Sequence, residues 1–322
     1  MGAKKLKEKL YGVIPIVWTP TTQNYDVDYE KYREHVSWLI EKGYKTGSGA
    51  LLCIAAMGEG PFLSETQYKK CVDLLADVSN GKVPIIVGIF DLNPLNAVEK
   101  MKYAEDAGIE FAQVSPPHYS TPSDEEVYTF YKMINERTDM GIIIYNSWWT
   151  IPCSMFDDHR WEMTPKLMSK LCELENIVGI KYCGYKAKIF FDMITNEELT
   201  KNVVFIDNFG LGIWGPKFGI KAYLSNIANY APKRELSKFK LLLEGKHEEY
   251  LREVERYDKP LENLLAELYT ARNTLGEGSY AHAAMEAAGK PFGPPFPPQK
   301  PFTEEEISRL RQLMKRANIV EE

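Results

Sequence analysis

Two residues in this chain of 322 could carry covalent chemistry, and each ends an apolar run. Lys181 closes the stretch Ile177-Val178-Gly179-Ile180-Lys181-Tyr182. Desolvation there disfavours the ammonium, and a lysine kept partly neutral attacks ketone carbonyls to form imines. Tyr145 closes Gly141-Ile142-Ile143-Ile144-Tyr145-Asn146. A phenol at matching depth on the neighbouring strand could shuttle the protons that carbinolamine collapse and C–C cleavage require. Taken singly, neither residue decides the matter. A strand-end lysine can also snorkel to the rim or pair with a carboxylate, and a tyrosine in a strand is an ordinary core residue.

The surrounding pattern says what must position these two groups. Short apolar runs at 13–18, 50–55, 83–89, 111–114, 141–145, 177–182, 203–206 and 222–224 alternate with amphipathic stretches at 29–42, 64–79, 95–106, 124–137 and 164–173, and a short helix at 211–217. The runs are rich in Val, Ile and Leu, as strands covered on both faces should be, and Ser123-Asp124-Glu125-Glu126 is a helix-start signal. Repeated βα units with eight strands predict an α/β fold, a (β/α)₈ TIM barrel with a C-terminal helical extension. An open doubly wound sheet is the competing architecture, but Thr19-Pro20-Thr21-Thr22 follows the first strand where a glycine-rich phosphate loop would stand. The barrel is expected over 1–230. Residues 231–322 are expected to pack on it as one structural unit, with helices at 233–244, 247–256, 261–273, 279–288 and 303–316 and a break at Pro291-Phe292-Gly293-Pro294-Pro295-Phe296-Pro297-Pro298.

Composition narrows the function classes. With 44% hydrophobic and 26% charged residues the chain reads as an ordinary globular protein, and its apolar runs are too short to span a membrane. A net charge of −6 argues against nucleic acid as a partner. Cys53, Cys71, Cys153, Cys172 and Cys183 are odd in number and form no CxxC pair, so buried free thiols are expected, in a cytoplasmic setting. The five histidines lack metal-ligand spacing. Imine chemistry supplies its own electron sink, so neither metal nor cofactor is expected.

Ile143-Ile144-Tyr145-Asn146 followed by Gly179-Ile180-Lys181, together with Gly58-Glu59 and Pro117-His118-Tyr119-Ser120-Thr121-Pro122, resembles the dihydrodipicolinate synthase and N-acetylneuraminate lyase family over residues 11–320. The resemblance implies a Schiff base between Lys181 and a 2-oxo acid such as pyruvate, with Tyr145 transferring protons. It also implies a homotetramer or homodimer, in which Tyr119 falls where family synthases place a tyrosine that reaches into the neighbouring site. Lys181-Tyr182-Cys183-Gly184 and the proline-rich segment look like the hydratase-aldolase branch, whose members cleave arylidene-pyruvates.

The departures redirect the expected specificity. Where the family usually has Gly-Thr-Thr-Gly-Glu, this chain has Ala55-Ala56-Met57-Gly58-Glu59, so two hydroxyls are missing and only the backbone amides around Ala56, Met57 and Gly58 remain to hold a carboxylate. The arginine that synthases carry after the strand-five tyrosine is replaced within Asn146-Ser147-Trp148-Trp149-Thr150-Ile151-Pro152, removing a bidentate carboxylate clamp. Dihydrodipicolinate synthesis is therefore not expected, and Trp148 with Trp149 points either to a flat apolar or aromatic co-substrate or to surface packing against a neighbouring loop. Two other readings stay open: a dehydratase acting on a sugar-derived 2-oxo acid, with Ser147, Thr150, Asn208 and Ser225 contacting hydroxyls, and a catalytically silent ligand-binding protein.

Overall fold

The computed structural model describes residues 3–119, 121–147, 161–184, 186–208, 210–272 and 276–321. Eight parallel strands are present: β1 (Gly12–Pro15), β2 (Leu51–Cys53), β3 (Ile85–Ile89), β4 (Phe111–Val114), β5 (Gly141–Ser147), β6 (Ile177–Cys183), β7 (Val204–Asp207) and β8 (Ala222–Ser225). They are ordered β1-β8-β7-β6-β5-β4-β3-β2. The parallel bridges Val13 to Gly49 and Ile16 to Leu52 join β1 to β2 and close the ring. The expected (β/α)₈ barrel is thus observed.

Helices α2 (Tyr29–Glu41), α3 (Glu65–Ser79), α4 (Pro94–Asp106), α5 (Asp124–Asn135) and α6 (Pro165–Leu171) lie between the first six strands. The signal at Ser123 is a full capping box: its hydroxyl accepts from the Glu126 amide, and Glu126 accepts from the Ser123 amide at 2.7 Å. Outward strand residues such as Val87, Val114, Ile144 and Ile180 form one apolar cluster with these helices. Inward residues such as Ile14, Leu52, Ile86, Phe111, Ile143 and Ile206 form a second, which continues into the C-terminal helices.

Three short helices have no counterpart in the sequence pattern. The first, α1 (Ala3–Lys9), covers the end of the barrel where the strands begin. Leu6 and Leu10 join the interior cluster, and Lys9 pairs with Glu110 at 2.6 Å. The others, α7 (Ala187–Ile194) and α8 (Glu197–Asn202), fill the connection from β6 to β7. Eight and six residues are too few for periodicity to separate a helix from a loop.

The C-terminal part comprises α9 (Pro232–Leu243), α10 (His247–Glu253), α11 (Lys259–Arg272), α12 (Glu277–Ala287) and α13 (Glu304–Ala317). The break expected between the second and third of these is instead a π-helical turn, Val254–Asp258, that joins α10 to α11. After α12 the proline-rich segment returns to the barrel mouth. Thr21 donates its amide to the Phe292 carbonyl at 2.7 Å, and the rings of Phe62 and Phe296 stack with centroids 6.4 Å apart.

If α1 plugs the barrel as packed, Leu10→Ala leaves a cavity among Ile143, Gly179 and Leu6. Chemical denaturation should then show a loss of about 2–5 kcal/mol, the usual cost of emptying a leucine site. A loss within about 0.5 kcal/mol, typical of surface positions, would mean that the plug does not bear on the barrel.

Candidate active site

Strand register decides where Lys181 points. Ile142 pairs with Ile177 but Ile143 pairs with Gly179, so β6 carries one extra residue there. Before the bulge Ile177 belongs to the outer cluster and Val178 to the inner one; after it Ile180 and Tyr182 are outer. Without that insertion Lys181 would share the outward face of Ile177. With it, Lys181 faces inward and pairs in register with Tyr145.

Both side chains are enclosed, Lys181 at 3% and Tyr145 at 1% exposure. The lysine Nζ stands over the Tyr145 ring, 4.2 Å from its centroid, and Phe90 meets that ring edge-on at 6.3 Å. Cys183, two residues beyond Lys181 on the same face, accepts from Asn208 Nδ2 at 2.6 Å and hydrogen-bonds Tyr145. Burial pushes the Cys183 thiol up to about 11, against the field of Lys181, so it stays a neutral thiol in this cluster. On the outward face Tyr182 donates to Glu162 at 2.9 Å and Glu162 accepts the Lys186 amide at 3.0 Å, tying down the strand end that bears the lysine.

The strand-two loop is held by a buried carboxylate. Ile54 and Glu59 both have left-handed backbone, φ +55° and +59°, and a β-branched residue rarely adopts it. Glu59 accepts from His282 Nε2 at 2.7 Å, the Phe296 amide at 2.9 Å and Gln299 Nε2 at 2.5 Å. His282 also donates from Nδ1 to the Gly293 carbonyl at 2.7 Å, and Thr19 donates to the Gly58 carbonyl at 2.7 Å. The loop conformation therefore depends on α12 and the proline-rich segment.

A cavity of about 950 Å³ opens beside this loop, lined among others by Ala56, Met57, Asn208, Glu277, Tyr280 and Gln299. Lys181 and Tyr145 are not in its wall. Asn208, bonded to Cys183, and Glu277, whose charge acts on both Lys181 and Cys183, connect the two. Gly58 is not among the residues lining the cavity, but its Cα passes so close to the segment that follows β1 that an added Cβ would sit 2.6 Å from the Val17 carbonyl oxygen.

The other expected contacts are scattered. Ser225 borders the same cavity, but its hydroxyl is engaged, donating to Glu235 at 2.8 Å and accepting from the Ala228 amide at 3.2 Å, because its place on β8 is out of phase with inward Ala222. Tyr119 is 85% exposed in the single chain. Trp148, Trp149 and Thr150 lie outside the described residues, as does the side chain of Ser147. Among the described residues no group of three or more His, Cys, Asp or Glu is placed to hold a metal ion, and no helix is long and apolar enough to cross a membrane.

Two site residues were missed from sequence. Cys183 had a usable signal, the period-two spacing from Lys181. Glu277 had none, since a glutamate in a helix's first turn is what any exposed helix start would carry.

Burial raises the Glu277 carboxyl above its ordinary 4.5, and Lys181 opposes the shift. Below the ordinary carboxyl range Glu277 is protonated in both folded and unfolded chains. As pH rises the unfolded chain ionises first, so stability is lost through the window above 4.5. Glu277→Gln should therefore raise the thermal midpoint at neutral pH, with the gain vanishing near pH 4. A gain that is the same at both pH values would show that ionisation of Glu277 is not its cause.

Residues 9–317 match the Dihydrodipicolinate synthetase family. The 4-hydroxy-tetrahydrodipicolinate synthase of Methanosphaera stadtmanae is 26% identical over 315 residues, covering 97% of this chain and 99% of its own. The fold superimposes on chloride-inhibited dihydrodipicolinate synthase from Acinetobacter baumannii, complexed with pyruvate, with TM-score 0.79 and 23% identity over 97% of this chain and all of that one (100%). It also superimposes on Proteus mirabilis N-acetylneuraminate lyase, with TM-score 0.79 and 20% identity over 97% and 100%. This barrel is thus a member of the Dihydrodipicolinate synthetase family, whose relatives are synthases and lyases of the aldolase type.

Proposed function

We propose that the protein is a Schiff-base lyase in which Lys181 condenses with the carbonyl of a 2-oxo acid such as pyruvate and Tyr145 moves protons at the imine. The observation that carries this reading is the inward pairing of Lys181 with Tyr145, Nζ 4.2 Å from the ring centroid, inside an enclosed strand-end site. Lys181 supplies the nucleophile. Tyr145 supplies an acid–base group next to the nitrogen that must lose and regain protons. The pyruvate complex of the Acinetobacter baumannii relative supports the choice of 2-oxo acid.

The second substrate is an uncharged, largely apolar or aromatic aldehyde, or the corresponding leaving group. Met57, Pro61 and Phe62 offer apolar wall to it. Lys238, the one cation among the described residues of the cavity wall, is already paired with Glu235 and Asp258, so it is not free to clamp a distal carboxylate. That pairing disfavours a co-substrate such as aspartate semialdehyde. Assembly into dimers or tetramers belongs to this reading, with the exposed ring of Tyr119 covered by a neighbouring subunit.

Borohydride added to the protein with pyruvate or a related 2-oxo acid should reduce the imine and leave the adduct on Lys181 by peptide mass spectrometry. Trapping on another lysine, or undiminished trapping in Lys181→Ala, would overturn the assignment. Tyr145→Phe should fold normally and slow turnover by at least about tenfold, below the range of about 10²–10⁴ for a full general acid–base group because water can relay part of the proton transfer. An unchanged kcat would remove Tyr145 from the mechanism.

A further inference from the structure

Aldol chemistry needs proton transfer at two places. One is the imine, where Lys181 and Tyr145 stand. The other is the oxygen on C4 of the substrate, which is a hydroxyl before cleavage and a carbonyl afterwards. The strand-two loop brings no hydroxyl to that second place, since Ala56 and Met57 line the cavity there. Asn208 has no titrating proton, and the Ser225 hydroxyl, though at the cavity, donates to Glu235. Glu277 is different. It begins α12 and borders the cavity, and its charge reaches Lys181 and Cys183.

We propose that Glu277 is the acid–base residue of the carbon–carbon bond step. This rests on the Schiff-base reading and adds the group that serves the aldehyde half of the reaction. In cleavage the Glu277 carboxylate takes the proton from the C4 hydroxyl, the C3–C4 bond breaks, and its electron pair moves into the C2 iminium. The products are a free aldehyde, a neutral enamine on Lys181 and a protonated Glu277. Protonation of the enamine at C3 and hydrolysis of the imine by water release pyruvate. In synthesis the Glu277 carboxylic acid returns the same proton to the aldehyde oxygen as the enamine attacks.

The charged and titratable groups facing Glu277 are Lys181 and Cys183 from β6 and Tyr269 from α11. Lys181 alone among them favours the carboxylate through its positive charge, which the iminium keeps, and the cleavage step that turns the iminium into a neutral enamine removes that charge as Glu277 takes up the proton. Burial holds the carboxyl above the ordinary range while Lys181 opposes that shift, so a group with reason both to accept and to release a proton stands at the cavity wall.

The test separates the two halves of the reaction. Exchange of the pyruvate methyl hydrogens in D₂O, followed by proton NMR, reads imine and enamine formation alone. Turnover with a panel of aromatic, aliphatic and hydroxylated aldehydes reads the bond-forming step. Glu277→Gln should lower aldol turnover by at least about 100-fold while exchange continues within about threefold, and Glu277→Asp should recover part of the loss. Equal loss of both reactions would mark Glu277 as structural and overturn the proposal. So would unchanged aldol turnover, or exchange by the unaltered enzyme with no aldehyde accepted. Absence of both exchange and borohydride trapping in the unaltered enzyme would instead sink the Schiff-base reading, and this inference with it.

Discussion

The site depends on one extra residue in β6. A strand covered on both faces has no polar side to set its phase, so alternation alone would leave Lys181 pointing at the helices, in step with Ile177. The bulge at Val178 and Gly179 turns both residues inward in succession and shifts everything after them by one. It fits because Gly179 has no side chain: a Cβ there would stand 3.2 Å from Ile143 Cγ1 and 3.4 Å from Leu10 Cδ1, beneath the plug formed by α1. The same shift that brings Lys181 over Tyr145 sends Tyr182 outward to Glu162, so the ladder is anchored on both faces at the point where the lysine must be held.

A second constraint couples the barrel mouth to the far end of the chain. The strand-two loop leaves β2 through two left-handed non-glycine residues, which local preference alone would not sustain. Three donors from α12 and the proline-rich segment converge on Glu59 and hold it in place. Breaking a buried, hydrogen-bonded carboxylate of this kind usually costs several kcal/mol, about 3–5, so the loop and the C-terminal part are expected to stand or fall together. Helix α12 thereby has two tasks, securing the loop through His282 and carrying Glu277 to the cavity, and the first fixes the position needed for the second.

Electrostatics then differentiates the groups. Around Lys181 the structure gathers a thiol kept neutral by burial, a phenol and a carboxyl whose ionisation is opposed by burial and favoured by the lysine. Any change in the charge of Lys181 would therefore reset the proton affinity of these neighbours.

The eight-stranded barrel was legible from the chain alone, because parallel strands buried on both faces are apolar enough to announce themselves, and the placing of Lys181 and Tyr145 at the ends of neighbouring strands followed from it. The capping box at Ser123 was equally readable, being a local contact between residues three apart. What the sequence could not determine is phase and distance. Ser225 reaches the cavity, but its strand's register gives its hydroxyl to Glu235, and Lys181 faces inward only through a bulge in β6 that alternation does not predict. Glu277 is separated from Lys181 by nearly a hundred positions that include two further barrel strands and five helices, with nothing in its neighbours to mark it. Periodicity records which residues prefer burial; only the closed barrel, with α12 folded back over its mouth, decides which of them meet.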